Sequence, residues 1–313
     1  MVADTVFIVN PASANGRTRR RWRSHERSVR SVLGSDFETR FTEAPLHATP
    51  LARTAVQEGA TTIVSVGGDG TLNEVVNGLL DGTGRPWNPE ARLVVFSLGT
   101  GADFVKTHRV SNDPREVARR IREGTDVRID AGRCEFVDGG VARARYFINV
   151  AEFGSGGAVV DRVNRTTKML GGKLSFLLAI LRTLPRYENT RIAYEADGGP
   201  RTEVVMNDFV VANGRFFGGG LQPAPHADLQ DGLLDVVIIG DIDFRTVRRN
   251  LGPLREGKHL GLPEITAFRA RELRVHATDE RIDLDGELVG RRPTRFTVLP
   301  GALLLRGSPA EGG

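Results

Sequence analysis

At 313 residues the chain is long enough for one large domain or two ordinary ones, and its 40% hydrophobic content supplies a sizeable core. The net charge is only +4, with lysine confined to Lys106, Lys168, Lys173 and Lys258. That arginine bias reads as coding bias rather than a nucleic-acid footprint, so no nucleic-acid partner is expected. The single cysteine, Cys134, excludes a disulfide framework and fits a reducing cytosol.

Residues 5–10, TVFIVN, read as a first strand rather than a leader. RTRRRWRSHERSVRSVL (17–33) predicts a helix with Trp22, Val29, Val32 and Leu33 on a thin apolar stripe. FETRFTE (37–43) is a second strand, and TPLARTAVQEG (49–59) a helix ended by Gly59. TTIVSV (61–66) is a buried strand. LNEVVNGLL (72–80) spaces Leu72, Val75, Val76, Leu79 and Leu80 helically. RLVVFSLG (92–99) is a further strand, and DPREVARRIREG (113–124) a helix capped by Asp113 with Pro114 at its first position. Strands alternating with helices predict crossover units on a parallel sheet.

From about Val127 the pattern changes. VRIDAGRCEFV, RARYFINVAEFG, RIAYEAD, TEVVMNDFVVANG, LLDVVIIGD, ELRVHAT and RIDLDGELVG read as strands separated by turn residues. Helical pattern survives near 165–184 and 244–256. The uncharged run Leu174 to Leu181 is far shorter than the ~20 residues of a spanning helix. The expected architecture is an α/β domain over 1–126, a mainly antiparallel, sandwich-like β domain over 127–300, and a 301–313 tail able to pack back on the first domain. The cleft between two such domains is the expected site.

Three turns carry the chemistry. GGDGT (67–71) links a buried strand to a helix, and unpaired N–H groups at a helix N-terminus suit phosphate. Thr71 and Glu74 also fit a capping box, so a tight capped turn is the plainer alternative. Asp69 tips the balance, because a carboxylate beside phosphate needs a bridging cation or a role as base, which implies a nucleotide with a divalent metal. SLGTGADF (97–104) repeats the design with Thr100 and Asp103, and NPASANG (10–16) follows the first strand. In a parallel sheet all three lie on one edge. No GxxxxGK[ST] loop occurs, and Phe104 stands where a GxGxxG fingerprint needs its last glycine.

With NPASANGR, FTEAPLHA, VSVGGDGTLNEVVNGL, LGTGADF, KLSFLLAIL, VANGRFFGGGLQPAPHADLQDGLLDVVII and IDLDGE in this order, the chain resembles the diacylglycerol kinase catalytic family. Within that family it resembles the soluble bacterial lipid kinases related to sphingosine kinases. NAD kinases and phosphofructokinases, which share the GGDG turn, are more distant. The resemblance implies an N-terminal nucleotide domain, a β-rich lipid domain, and transfer of the γ-phosphoryl of ATP to a lipid hydroxyl. It implies that Asn10, Thr42, Gly67, Gly68, Asp69, Gly70, Thr71, Leu72, Asn73, Thr100 and Asp103 form the nucleotide site, with Asp69 acting through Mg²⁺. Asp228, Asp231 and the carbonyl of Leu233 match a second, structural metal site. Glu287 matches the proton acceptor, with Asp285 beside it. The family's second turn usually has asparagine before the aspartate; here the residue is Ala102.

Other readings stay open. DGE and DG are also ordinary turn signals, and Phe216 and Phe217 suit a core. The arginines at 17–30 are either a solvated face or a surface drawn to anionic lipid. The expected location is therefore cytoplasmic with peripheral membrane contact. The alternatives kept are a non-catalytic or weakly active lipid-binding protein of the same fold and an NAD kinase; a homodimer is kept open as a further partner.

Overall fold

The computed structural model describes residues 3–99, 102–108, 111–165, 179, 182–277 and 279–308. The chain divides into two compact units, Met1–Ile129 with Gly301–Gly313, and Asp130–Pro300.

The first unit is an α/β layer. Strands β1 (Thr5–Val9), β2 (Phe37–Phe41), β3 (Thr62–Gly67) and β4 (Arg92–Ser97) pair in parallel in the order β2-β1-β3-β4. Every residue of β1 and β3 is buried, as expected for a parallel sheet covered on both faces. Helices α1 (Arg17–Leu33), α2 (Ala48–Gln57), α3 (Asp69–Leu79), α4 (Asp103–His108) and α5 (Pro114–Glu123) cover it. On α1, Trp22 and Val29 are buried, with the Trp22 ring 5.8 Å from Phe7, while Arg17, Arg19, Arg20, Arg21, Arg23, Arg27 and Arg30 are exposed. Arg30 is already engaged: its guanidinium lies 4.5 Å from the Phe37 ring centre and pairs with Glu26. Asp113 caps α5 as expected, accepting from the N–H groups of Arg115 and Glu116.

The second unit is a β-sandwich. Its strands are β5 (Asp126–Asp138, entering from the first unit), β6 (Val141–Phe147), β7 (Val150–Gly154), β8 (Thr190–Ala196), β9 (Thr202–Met206), β10 (Asp208–Ala212), β11 (Leu234–Ile239), β12 (Ile265–Ala270), β13 (Glu272–His276), β14 (Arg281–Leu284), β15 (Glu287–Arg291) and β16 (Pro293–Arg306). One sheet runs β12-β11-β10-β7-β14-β15, antiparallel throughout. Facing it, β16-β13-β8-β9 pair antiparallel, with β5 beside β16 and β6 beside β5. The two layers meet in stacked rings: Phe153 lies 4.8 Å from Phe209 and 5.9 Å from Phe296. Helices α6 (Ser155–Arg165) and α7 (Phe244–Arg255) complete the unit.

Several elements depart from the sequence reading. RARYFINVAEFG breaks into β6 and β7 because the N–H groups of Ile148, Asn149 and Val150 are taken by one carboxylate, Asp285. Helix α6 was hidden by the glycines at 154, 156 and 157. Strand β12 shows little apolar alternation because only Ala270 is buried along it. Strand β16 runs unbroken through Pro300 and Gly301, and its end pairs in parallel with β4 at Leu304 and Leu305. The helical pattern at 165–184 lies mostly outside the described residues. Among the described residues no helix is long and apolar enough to cross a membrane.

Candidate functional site

The three turns of the first unit are knitted together at the C-terminal ends of β1, β3 and β4. A Cβ on Gly67 would lie 2.3 Å from the Thr71 hydroxyl, and one on Gly99 would lie 2.5 Å from the Gly68 Cα. The glycines are therefore required by close packing of turn against turn. Leu98 and Gly99 both donate their N–H to the Gly67 carbonyl, at 2.7 and 3.0 Å. Asn10 donates from Nδ2 to Thr71 Oγ1 at 3.0 Å and accepts from the Ala12 N–H, which ties the first turn to the second. Asp69 ties the second to the third: its carboxylate accepts from the N–H groups of Asp103 and Phe104 at 3.3 and 3.4 Å.

The helix after the second turn starts at Asp69, with Gly68 as N-cap and no side-chain cap. Its first-turn N–H groups face out along the axis, the arrangement that receives phosphate. The alternative reading, a capping box, does not form. Starting at Asp69 places Thr71 inside the first turn, and Glu74 instead accepts from the N–H groups of Leu46 and Ala48 at 2.9 Å each. Glu74 thereby fixes the loop that carries Thr42. Thr42 is buried and donates its N–H to the Val9 carbonyl. Leu72 is core, with its N–H on the Gly68 carbonyl, and Asn73 is buried and accepts from Asn77. Gly70 sits half-buried in the first turn of α3. Asp103 is buried and ion-paired with Lys106. Thr100 lies outside the described residues. Asp69 is a half-buried carboxylate at a helix N-terminus, and a hard oxygen donor of this kind fits Mg²⁺, which usually takes one or two carboxylates beside phosphates and waters.

Ala102 has φ 54°, in the left-handed region. Asparagine tolerates that region far better than alanine. Ala102→Asn is thus expected to relieve backbone strain, raise the melting temperature slightly and raise kcat/KM for ATP a few-fold, measured by thermal melts and initial rates.

In the second unit, Asp285 (φ 54°) and Gly286 (φ 88°) form the two-residue turn between β14 and β15. The Asp285 carboxylate accepts three backbone N–H groups, from Ile148, Asn149 and Val150, all at 2.9 Å. So loaded, it is a turn-orienting group. Glu287, one residue past the turn glycine, is exposed. Asp228 and Asp231 are exposed and each accepts a nearby N–H, from Gln230 and Leu233. Asp231 also lies 3.7 Å from Arg269. Carboxylates and backbone carbonyls are the donor types hard cations take; Arg269 beside Asp231 is a competing positive charge. Asp130, missed in the sequence, is buried and tethers this turn by accepting from the Gly232 N–H at 2.7 Å. Asn149 and Asn213 anchor the 213–217 loop; Asn213 donates to the carbonyls of Asp130 and Ile148.

Three further buried acids were missed: Glu152, Asp208 and Asp283. Each interrupts an apolar strand run (NVAEFG, MNDFVV, RIDLDG), which is the signal that could have found them. Burial pushes Asp208 up to about 7 and Asp283 up to about 8, and raises Glu152 well above the carboxylate range, reinforced by Asp208 and Asp283. The folded protein therefore holds more protons than the unfolded chain between about pH 4 and pH 8, so their contribution to stability falls as pH rises through that window. Denaturant melts are expected to show this decline, and Asp283→Asn should flatten it.

Beside these acids lies an apolar pocket lined by Val159, Val210, Phe217, Leu221, Val237 and Leu251 among others, with Ser155, Asn207 and Asp208 also in its wall.

Comparison with known proteins matches two successive parts of the chain. The description "Diacylglycerol kinase catalytic domain" matches residues 4–134, and "YegS C-terminal NAD kinase beta sandwich-like domain" matches 149–306. The diacylglycerol kinase of Mycobacterium tuberculosis (strain ATCC 25618 / H37Rv) is 30% identical over 81% of this chain and 79% of its own length. That of Bacillus subtilis (strain 168) is 30% identical over 85% and 84%. The chain belongs to the diacylglycerol kinase family. It is an ATP-dependent lipid kinase. Two crystal structures from Bacillus anthracis str. Sterne share the kinase's fold over 98% of the chain. One has TM-score 0.75 at 22% identity over 98% of its own length, and the other, of a diacylglycerol kinase, has TM-score 0.68 at 18% over 97%.

Proposed function

We propose that this kinase transfers the γ-phosphoryl of ATP to the hydroxyl of a diacylglycerol-like lipid in a Mg²⁺-dependent reaction. The observation that carries this reading is the cross-linked set of turns, with Asp69 set at one helix N-terminus and bonded to a second. Phosphoryl transfer asks for positioning, charge neutralisation and a base for the hydroxyl. The α3 N-terminus, with Gly67, Gly68, Gly70 and Thr71, positions phosphates; Asn10 and Thr42 hold the neighbouring turns. Mg²⁺, when bound, neutralises phosphate charge, and Asp69 would hold it. Glu287 takes the proton of the acceptor hydroxyl, and Asp285 orients the turn that carries it. Asp228, Asp231 and the Leu233 carbonyl would hold a structural cation. The apolar pocket of the second unit receives the acyl chains.

Incubation with ATP, Mg²⁺ and micellar diacylglycerol, followed by mass spectrometry, should yield phosphatidate, and chelation with EDTA should abolish it. Persistence of full activity in excess EDTA would remove the metal from this reading.

The exposed arginines of α1 support peripheral attachment of a cytoplasmic protein to anionic membrane, each near-surface cation contributing about 1 kcal/mol. Neutralising Arg19, Arg20, Arg23 and Arg27 should reduce sedimentation with anionic liposomes at low salt and leave turnover of micellar lipid unchanged. Sedimentation equal to the unaltered protein would assign the arginines to solvent alone.

A further inference from the structure

The buried acids Glu152, Asp208 and Asp283 have no part in the chemistry described so far, yet they share one face of one sheet. On β7, Ala151 and Phe153 belong to the sandwich core, so alternation turns Glu152 to the opposite face. On β10 Phe209 and Val211 face the core, and on β14 Ile282 and Leu284 do, which turns Asp208 and Asp283 the same way as Glu152. Asp283 is the direct cross-strand neighbour of Glu152, and Asp208 is diagonal to it across β10.

Two independent observations point to a ligand. Among the described residues, both carboxyl oxygens of Glu152 and Oδ2 of Asp283 have no hydrogen-bond partner, and these residues are only 1% and 3% exposed. Leaving such atoms unpaired is costly unless something else satisfies them. The apolar pocket opens on the same face: Asp208 is in its wall, as is Gly156, where an added Cβ would lie 2.6 Å from each Glu152 carboxyl oxygen. The other end of the cluster reaches the β14–β15 turn, where Asp283 accepts the Gly286 N–H at 2.7 Å, four residues before Glu287. The charged groups that raise these carboxyls are themselves acids: Glu280, Asp285 and Glu287, besides one another; Arg281, two residues before Asp283, lies 3.7 Å from Asp161.

We propose that Glu152, Asp208 and Asp283 are specificity-determining residues that receive the polar head of the acceptor lipid and exclude anionic head groups. The proposal rests on the lipid-kinase reading above. A head carrying hydroxyl or amine donors and no negative charge satisfies the unpaired oxygens. The carboxyls that remain protonated donate in turn to ester carbonyls. A phosphodiester head would bring a negative charge beside three carboxyls and the further acids that act on them. At about 4–6 Å and an effective dielectric constant near 20, one contact between full charges costs about a hundred- to a thousand-fold in affinity, and less where the carboxyl is protonated.

The test compares diacylglycerol with phosphatidylglycerol of the same acyl chains in nonionic micelles, measuring both phosphorylation and equilibrium retention of each lipid by the purified protein. The unaltered protein should favour diacylglycerol by at least about tenfold in kcat/KM and in retention, a margin of about 1.4 kcal/mol. Glu152→Gln with Asp283→Asn should cut the preference to about threefold or less, chiefly through KM. If the double variant does not fold, Glu152→Gln alone keeps the shape and should move the ratio in the same direction. Equal use of both lipids, or a preference untouched by a folded variant, overturns the proposal. If neither lipid is phosphorylated but retention is selective and falls in the variants, the head-group assignment stands and the kinase reading fails. Non-selective retention overturns the assignment whatever the turnover.

Discussion

Glu287→Gln is expected to lower kcat by about 10²- to 10⁴-fold, the usual worth of a general base, with little change in the affinities for ATP and lipid. The structure separates Glu287 from its neighbour. Asp285 spends its carboxylate on three backbone N–H groups and holds the turn and the 148–150 segment in place. Glu287 is exposed just past the turn glycine, where its carboxylate can meet a ligand. Asp285→Asn should therefore behave differently: an amide presents a donor to N–H groups that need acceptors. The expected result is a loss of about 2–4 kcal/mol of stability, read as a lowered urea midpoint, with activity recovering in proportion to folded protein. If Glu287→Gln keeps kcat and raises only the KM for ATP, Glu287 belongs to the nucleotide or metal site and another group takes the proton.

Asp69→Asn is expected to lower kcat/KM at least about 100-fold, the scale of losing one preorganised electrostatic element. The same carboxylate also bonds two N–H groups at the start of α4. Those bonds are long and half-exposed, so their loss should cost no more than about 1 kcal/mol. The two roles separate in one titration. If Asp69 holds Mg²⁺, the variant needs far more Mg²⁺ for half-maximal rate while its melting temperature stays nearly constant. A large drop in melting temperature with an unchanged Mg²⁺ requirement would make Asp69 a clamp between turns and nothing more.

Much of this was legible in the sequence, for reasons that differ by element. Helix α1 is readable at both ends because Gly16 and Gly34, both at positive φ, bracket its amphipathic pattern. The parallel strands are readable because burial on both faces demands unbroken apolar runs. Less readable are features decided by tertiary bonds. Thr71 and Glu74 have capping-box spacing, but the helix starts three residues early, and Glu74 is claimed by a loop 26 residues upstream. The break between β6 and β7 depends on a carboxylate 135 residues away. Glu152, Asp208 and Asp283 were legible as acids in apolar strands, but their convergence on one face follows from strand order, which sequence alone does not carry.

The most direct measurement of the central claim uses ATP labelled in turn at the γ- and the α-phosphate, incubated with the protein, Mg²⁺ and a total membrane lipid extract. Label should enter the organic phase from γ-labelled ATP only, in a species that comigrates with phosphatidate. No label in lipid from γ-labelled ATP, or label recovered instead in a water-soluble dinucleotide, would contradict the assignment.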